Sequence, residues 1–412
     1  MRVFGWTDDQ AEGAGVKEYK RNMTGSIGIL VCWTAFDLII STFLLAEILY
    51  ATGGDIAKVA LFNVVLFGCH FMFFFALSFV AKRWSCKWVI RLGIAVNVIL
   101  TCLLCVSSIE LLRFYLLFAV INGAARGIFW TAMNQFASKA MGGKKMAAFQ
   151  AYLIVATSAA SIIFPFTLGA VIKSASFFIA AIISVGVGAV CVAFSMLLRE
   201  HGKGERFDPL GFFRYIRENK LVRPVMHNFA IQYTRMFYRN VAAVCVVVLI
   251  VMSFGDSFSL GWLTSAFGAG AILVAFGYRW LRPGRVKTAV FCVASLLMFG
   301  LSLGLLFEIN TLTILLFQFG AVVLMVIPNI ETAKLQIDYL RELGHKKFLA
   351  ESMVFSEFAY WVSQVPLFAI MFVLVKTGSL FAFQILVVCL MALAAVNFIL
   401  VKLWYKMYIT KH

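Results

Sequence analysis

The chain is poor in charge. Asp, Glu, Lys and Arg make up 13% of its 412 residues, about half the share of an ordinary soluble domain, and that shortage excludes a soluble enzyme. Proline is scarce, at six residues, and apolar runs continue to the end of the chain, which excludes a disordered polypeptide. No cysteine falls where an outer loop is expected, so no disulfide framework is predicted. Cys102 and Cys105 form a CxxC inside an apolar stretch without further ligands, and neither a metal site nor a cofactor is expected. The absence of a GxxxxGK[ST] loop removes nucleotide drive from this chain. No basic run carries interleaved aromatics, so the net charge of +17 does not call for a nucleic-acid partner.

What is present is hydrophobic length. Apolar residues make up 62% of the sequence, enough for about twelve crossings at ~20 residues each. The expected spans, numbered helices 1 to 12, cover 27–50, 57–81, 88–107, 112–138, 146–171, 176–198, 225–252, 257–280, 288–307, 311–333, 348–376 and 379–402. They are too long and too evenly apolar for barrel strands, so the fold class is an all-α polytopic membrane protein. The polar first 26 residues contain no cleavable apolar core, and the first span is expected to stay in the membrane.

Lys and Arg set the orientation. With both termini cytoplasmic, 29 of the 36 lie on the inner side, four lie in outer loops (Lys58, Arg113, Lys173, Lys376), and three lie inside spans. Miscounting the spans by one would scramble that split. The expected organisation is a cytoplasmic tail (1–26), a six-helix bundle (27–198), a linker (199–224), a second six-helix bundle (225–402) and a tail (403–412). Within the linker, Asp208 and Pro209 have the character of an N-cap and first position of a short surface helix.

The halves echo each other at an offset near 199 residues. Ser78-Phe-Val-Ala-Lys-Arg83-Trp-Ser85-Cys-Lys87 joins helices 2 and 3, and Gly277-Tyr-Arg-Trp-Leu-Arg282-Pro-Gly284-Arg285 joins helices 8 and 9; Pro165 and Pro366 are separated by 201. Such duplication marks many carriers, whose substrate site lies between the repeats near mid-membrane.

At these residues the chain resembles the major facilitator superfamily, whose loop between helices 2 and 3 reads G-x-L-A-D-[RK]-x-G-R-[RK]. The first copy keeps Ala81, Arg83 and Lys87, with Lys82 at the family's aspartate. The second keeps Gly277, Arg282, Gly284 and Arg285. Arg126-Gly127 in helix 4 is similar to the family's mid-helix arginine motif, and Pro165 with Gly169 weakly resembles its antiporter signature. The resemblance implies two pseudo-symmetric six-helix bundles, with helices 1, 4, 7 and 10 around a central cavity.

Five ionisable residues lie deep in apolar helices: Asp37, Arg126, Arg235, Arg239 and Glu357. Each costs ~2.5–3.5 kcal/mol at mid-membrane unless paired or hydrated. Counted from the inner ends at ~1.5 Å per residue, these five and His70 fall at roughly 14 to 21 Å, within about a turn of one plane. Helix 7 places Asn228, Gln232, Arg235 and Arg239 at i, i+4, i+7 and i+11, with Tyr238 nearby, while helix 4 places Asn122 one turn from Arg126. These are the candidate substrate contacts; Asp37, Glu357 and His70 are the candidate proton carriers. Structural readings stand beside them: an Asp37–Arg126 salt bridge that fixes helices 1 and 4, a Glu357–Arg235 pair, and a packed His70. Glu351 is expected to snorkel or to pair with Lys346 or Lys347, and Glu47 and Glu331 to sit near span ends.

Three arginines against two carboxylates favour an anionic or zwitterionic solute. The expected function is secondary active transport by alternating access, coupled to protons, with import and export both open. Efflux or flipping of amphiphiles, suggested by 42 Phe, is an alternative, as is a transport-inactive sensor or assembly scaffold. A membrane-embedded transferase would need large outer loops or polar clusters at a membrane face, so no enzyme is expected. The protein is expected to work as a monomer in a bacterial inner membrane, with lipid, solute and protons as its partners.

Overall fold

Apolar segments of this length cross a bilayer as helices because every backbone group must find its hydrogen bond within the segment. The computed structural model describes residues 8–106, 111–140, 144–199, 207–282, 284–342, 348–378 and 380–409, and no strand occurs among them. Among the described residues twelve helices are long and apolar enough to cross a membrane: Lys17–Ala51, Ile56–Ala81, Cys86–Cys105, Arg113–Ala137, Val155–Ser174, Phe177–Ser195, Val222–Phe254, Ser257–Trp280, Arg285–Phe307, Thr311–Leu335, Ala350–Lys376 and Phe381–Met407. The chain is an integral, multi-pass membrane protein, and an even number of crossings leaves both of its ends on one side.

Helix 1 begins at Asp8, far ahead of residue 27. Its early turns are tied to the end of helix 6: Arg21 Nε donates to the Leu197 carbonyl, and Asn22 exchanges side-chain bonds with the backbone of Arg199. The linker helix Pro209–Glu218 starts as expected, with the Asp208 carboxylate accepting the Gly211 amide. Glu351 is buried and accepts the Asp208 amide at 2.8 Å; Lys346 and Lys347 lie outside the described residues. Glu331 accepts the Tyr278 hydroxyl at 2.6 Å, so it ties helix 10 to helix 8 instead of merely ending a span.

Burial separates the helices into two sets. Between 56 and 72% of the residues in the most apolar stretch of helices 1, 4, 7 and 10 are buried, against 22 to 44% in the others. These four are central, as the sequence resemblance implies, and the rest meet lipid. Packing also differs between the two sides of the membrane. On the side away from the chain ends, one continuous core joins both bundles, with Ile40, Phe43 and Leu44 of helix 1 packed into the same cluster as Val247, Val248 and Leu249 of helix 7. On the side of the chain ends each bundle has its own core, one around Trp33, Ile90 and Phe129, the other around Ile231, Phe291 and Trp404. Among the described residues a small cluster of Phe74, Phe207, Ala350 and Val354, with Trp130 against it, bridges the two. The seam is thus filled by a shared core on the far side, while toward the chain ends the bundles keep separate cores joined among the described residues by that small cluster.

Helices 5 and 8 close part of that far side through glycines. A Cβ on Gly169 would stand 2.8 Å from the Ser257 carbonyl oxygen, and one on Gly261 would collide with the carbonyl oxygen of Pro165. The Ser265 hydroxyl donates to the Ile162 carbonyl across the same contact, at 2.6 Å. Asp256 caps helix 8 by accepting the amides of Phe258 and Ser259. Burial alone would raise the Asp256 carboxyl, but hydrogen bonds from Ser259 and Phe258 and the charge of Lys173 outweigh it and hold the group below its usual value.

Candidate functional site

Helices 1 and 4 meet through aromatic stacking, Trp33 lying flat on Phe129 with ring centroids 3.7 Å apart. One turn further, Arg126 donates to Asp37 Oδ1 through Nε at 2.8 Å and also through Nη2. This is the pair expected from their common depth. Helix 4 approaches helix 2 just as closely, because a Cβ on Gly127 would meet Phe73 and Phe74 at 2.9 Å; Arg126 and His70 are thereby held on adjoining helices.

His70 reaches across the seam. Its Nε2 lies 3.3 Å from Glu357 Oε2, joining helix 2 of the first bundle to helix 11 of the second, and both side chains are largely buried. Glu357 therefore does not pair with Arg235, which corrects the sequence expectation: the two share a depth, but Glu357 faces helix 2. Arg235 instead donates to neutral oxygens, Asn329 Oδ1 of helix 10 at 3.3 Å and Gln232 Oε1 at 3.4 Å. The Tyr360 hydroxyl donates to the same Gln232 oxygen at 3.3 Å.

Arg239 stands apart. It sits at the middle of a central helix, yet its side chain is exposed, and it has no hydrogen bond or ion pair among the described residues. Asp37, Arg235, Tyr238 and Tyr360 are near enough to act on its charge. With Asp37 of helix 1 and Tyr360 of helix 11 both near it, Arg239 faces the seam between the bundles and not lipid. Helix 1 supports this, since Ile27, Val31, Thr34, Asp37, Leu38 and Ser41 form its accessible stripe and most of the neighbouring positions are buried. Helix 4 does too. Arg126, Trp130 and Asn134 are accessible at i, i+4 and i+8, whereas its far turns expose the opposite face through Phe114, Leu117 and Val120.

The remaining expected contacts are placed differently. Asn122, Asn228 and Gln232 are 2, 1 and 0% exposed, so the polar stripe of helix 7 is covered along its first turns. Tyr238 turns away from the seam, fully buried with its hydroxyl 3.4 Å from Asn397 Oδ1 of helix 12. The side chain of Arg83 lies outside the described residues, Arg282 and Arg285 are exposed, Gly277 lies within helix 8, Gly284 adopts φ +95°, and Lys87 lies in the first turn of helix 3. Trp130, Asn134 and Asn329 were not singled out from sequence. The i, i+4, i+8 spacing from Arg126 could have flagged the first two; nothing local marks Asn329.

Two six-helix bundles with ionisable residues at the seam between them are the architecture of a membrane transporter, and the family match bears this out. A family model described as Major Facilitator Superfamily matches residues 25–335, and the chain belongs to that family. Among solved structures, the POT family transporter PepTSo aligns with a TM-score of 0.71 and 12% identity, covering 95% of this chain and 99% of its own. The nucleoside transporter NupG aligns at 0.63 and 11%, covering 94 and 100%. The human organic anion transporter MFSD10 (TETRAN) aligns at 0.56 and 16%, covering 94 and 99%. Identities this low establish a common fold only. No curated protein sequence matches the chain.

Proposed function

We propose that the protein carries a small organic anion across the membrane by alternating access, with Arg239 as the principal contact and protons as the coupling ion. The observation that carries this reading is Arg239, an accessible residue at mid-membrane that has no hydrogen-bonded carboxylate among the described residues, beside Arg235, whose described partners are neutral oxygens. An arginine at this depth costs ~2.5–3.5 kcal/mol unless compensated, and its planar fork fits carboxylate or phosphate.

Coupling follows from Asp37. Its carboxylate occupies Arg126 and lies within electrostatic reach of Arg239. Protonation of Asp37 releases Arg126, and the two arginines then bracket an anion; loss of the proton restores the ion pair and expels the anion. His70 and Glu357 provide a second protonatable link, between the bundles. The excess of Lys and Arg on the side of the chain ends supports a cytoplasmic location for that side, and in this reading the cleft opens inward.

The test is uptake of labelled carboxylates and phosphates into proteoliposomes. Arg239→Gln lowers flux by about tenfold or more, equivalent to at least ~1.4 kcal/mol of lost interaction, while thermal stability in detergent stays near that of the parent. Unchanged flux in a folded variant would falsify the assignment.

A further inference from the structure

We infer that the solute is an amphipathic monoanion, a carboxylate joined to a flat apolar body, and that Trp130 selects it. This rests on the anion reading of Arg239 and narrows it.

A zwitterion needs an acidic partner for its ammonium. Asp37 is engaged by Arg126, and Glu357 lies 3.3 Å from His70. Glu331 takes the Tyr278 hydroxyl and Glu351 the Asp208 amide. The two helix 7 arginines, by contrast, make no hydrogen bond or ion pair to a carboxylate among the described residues. Among the described residues the two mid-plane carboxylates, Asp37 and Glu357, already have basic partners, which favours a negative group beside the helix 7 arginines over an ammonium.

Trp130 stands one turn from Arg126 on the accessible face of helix 4, toward the open side. The rise between them is about 6 Å, the reach of a carboxylate linked to one ring. Its indole is fixed edge-on against Phe129 with centroids 5.3 Å apart, and Phe129 is itself clamped flat under Trp33. Ile27, Val31 and Leu38 are partly accessible on the same stripe of helix 1 as Asp37, the partner of Arg126. A rigid aromatic plane and aliphatic side chains next to a guanidinium reward burial of an apolar body. A small hydrophilic anion would satisfy the arginines and leave that wall wet.

The experiment compares phenylacetate, acetate and phenylalanine as substrates of the full chain in proteoliposomes. Phenylacetate is expected to show the lowest KM, by about tenfold over acetate, with phenylalanine poorly carried. Trp130→Ala is expected to raise the KM for phenylacetate by about three- to tenfold without changing that for acetate, and Trp130→Phe to restore most of the difference. Acetate or phenylalanine carried as well as phenylacetate overturns the inference, as does a Trp130→Ala effect equal for all three. Because Trp130 also packs against the Phe74 and Phe207 cluster, a variant that fails to fold leaves the decision to the wild-type panel. If the wild type carries no carboxylate and Arg239→Gln changes nothing, the anion reading itself fails, a separate outcome.

Discussion

At the scale of single residues, the site is a matter of which charges cancel. Asp37 and Arg126 neutralise each other, yet about a third of the Asp37 side chain remains accessible (35%), which gives it a route to water that a sealed ion pair lacks. Asp37→Asn is expected to abolish uptake driven by a pH gradient while leaving exchange of labelled for unlabelled solute, because Asn neither titrates nor holds Arg126 as a counterion. Gradient drive retained at wild-type level would move the proton to the His70–Glu357 pair. The Asp37–Arg126 pairing was legible in the sequence because two opposite charges shared a depth. The partner of Glu357 was not, since helical rise gives height and says nothing about direction around the axis: His70 and Arg235 lie at nearly the same level on different neighbours. Trp130 escaped notice for another reason. A search for charge in apolar helices passes over an aromatic whose role depends on which face is accessible.

At the scale of elements, the regular period of 3.6 is where the reading of helix 7 succeeded and then failed. It put Arg235 and Arg239 on one side, but Asn228 and Gln232 on the same side are covered by neighbouring helices. Helices 1 and 10 depart from the period altogether, with π-helical turns at Ile39–Leu44 and Phe319–Leu324. The first directly follows Asp37, whose carbonyl accepts the Ser41 hydroxyl at 2.5 Å, and the second precedes Asn329. Wide turns of this kind are frequent at functional sites and shift the facing of every later residue. The contact of helices 5 and 8 yields a prediction at this scale. Gly261→Val drives a branched side chain into the Pro165 backbone and should cost about 1–3 kcal/mol, read as a lowered unfolding temperature and lost flux. Gly268→Ala, whose Cβ would have its nearest neighbour at 3.5 Å, serves as the tolerated control.

At the scale of the whole molecule, the single core on one side of the membrane and the paired cores on the other describe one state of a rocking pair of bundles. In a background with the native cysteines replaced, Asn134→Cys should react with a membrane-impermeant maleimide added on the side of the chain ends, and Val248→Cys, in the closed core, should not. Substrate or a pH gradient that reverses the seam should slow the first reaction; equal labelling of both positions would contradict the closure of the far side. The number of crossings, the central charged plane and the two-bundle plan were determined by the sequence itself, because hydrophobic length and the cost of burying charge are local properties that composition expresses directly. The partner of each charge, the exposure of Arg239 and the side on which the seam stands open were decided only by tertiary structure, because they depend on how helices rotate and tilt against one another.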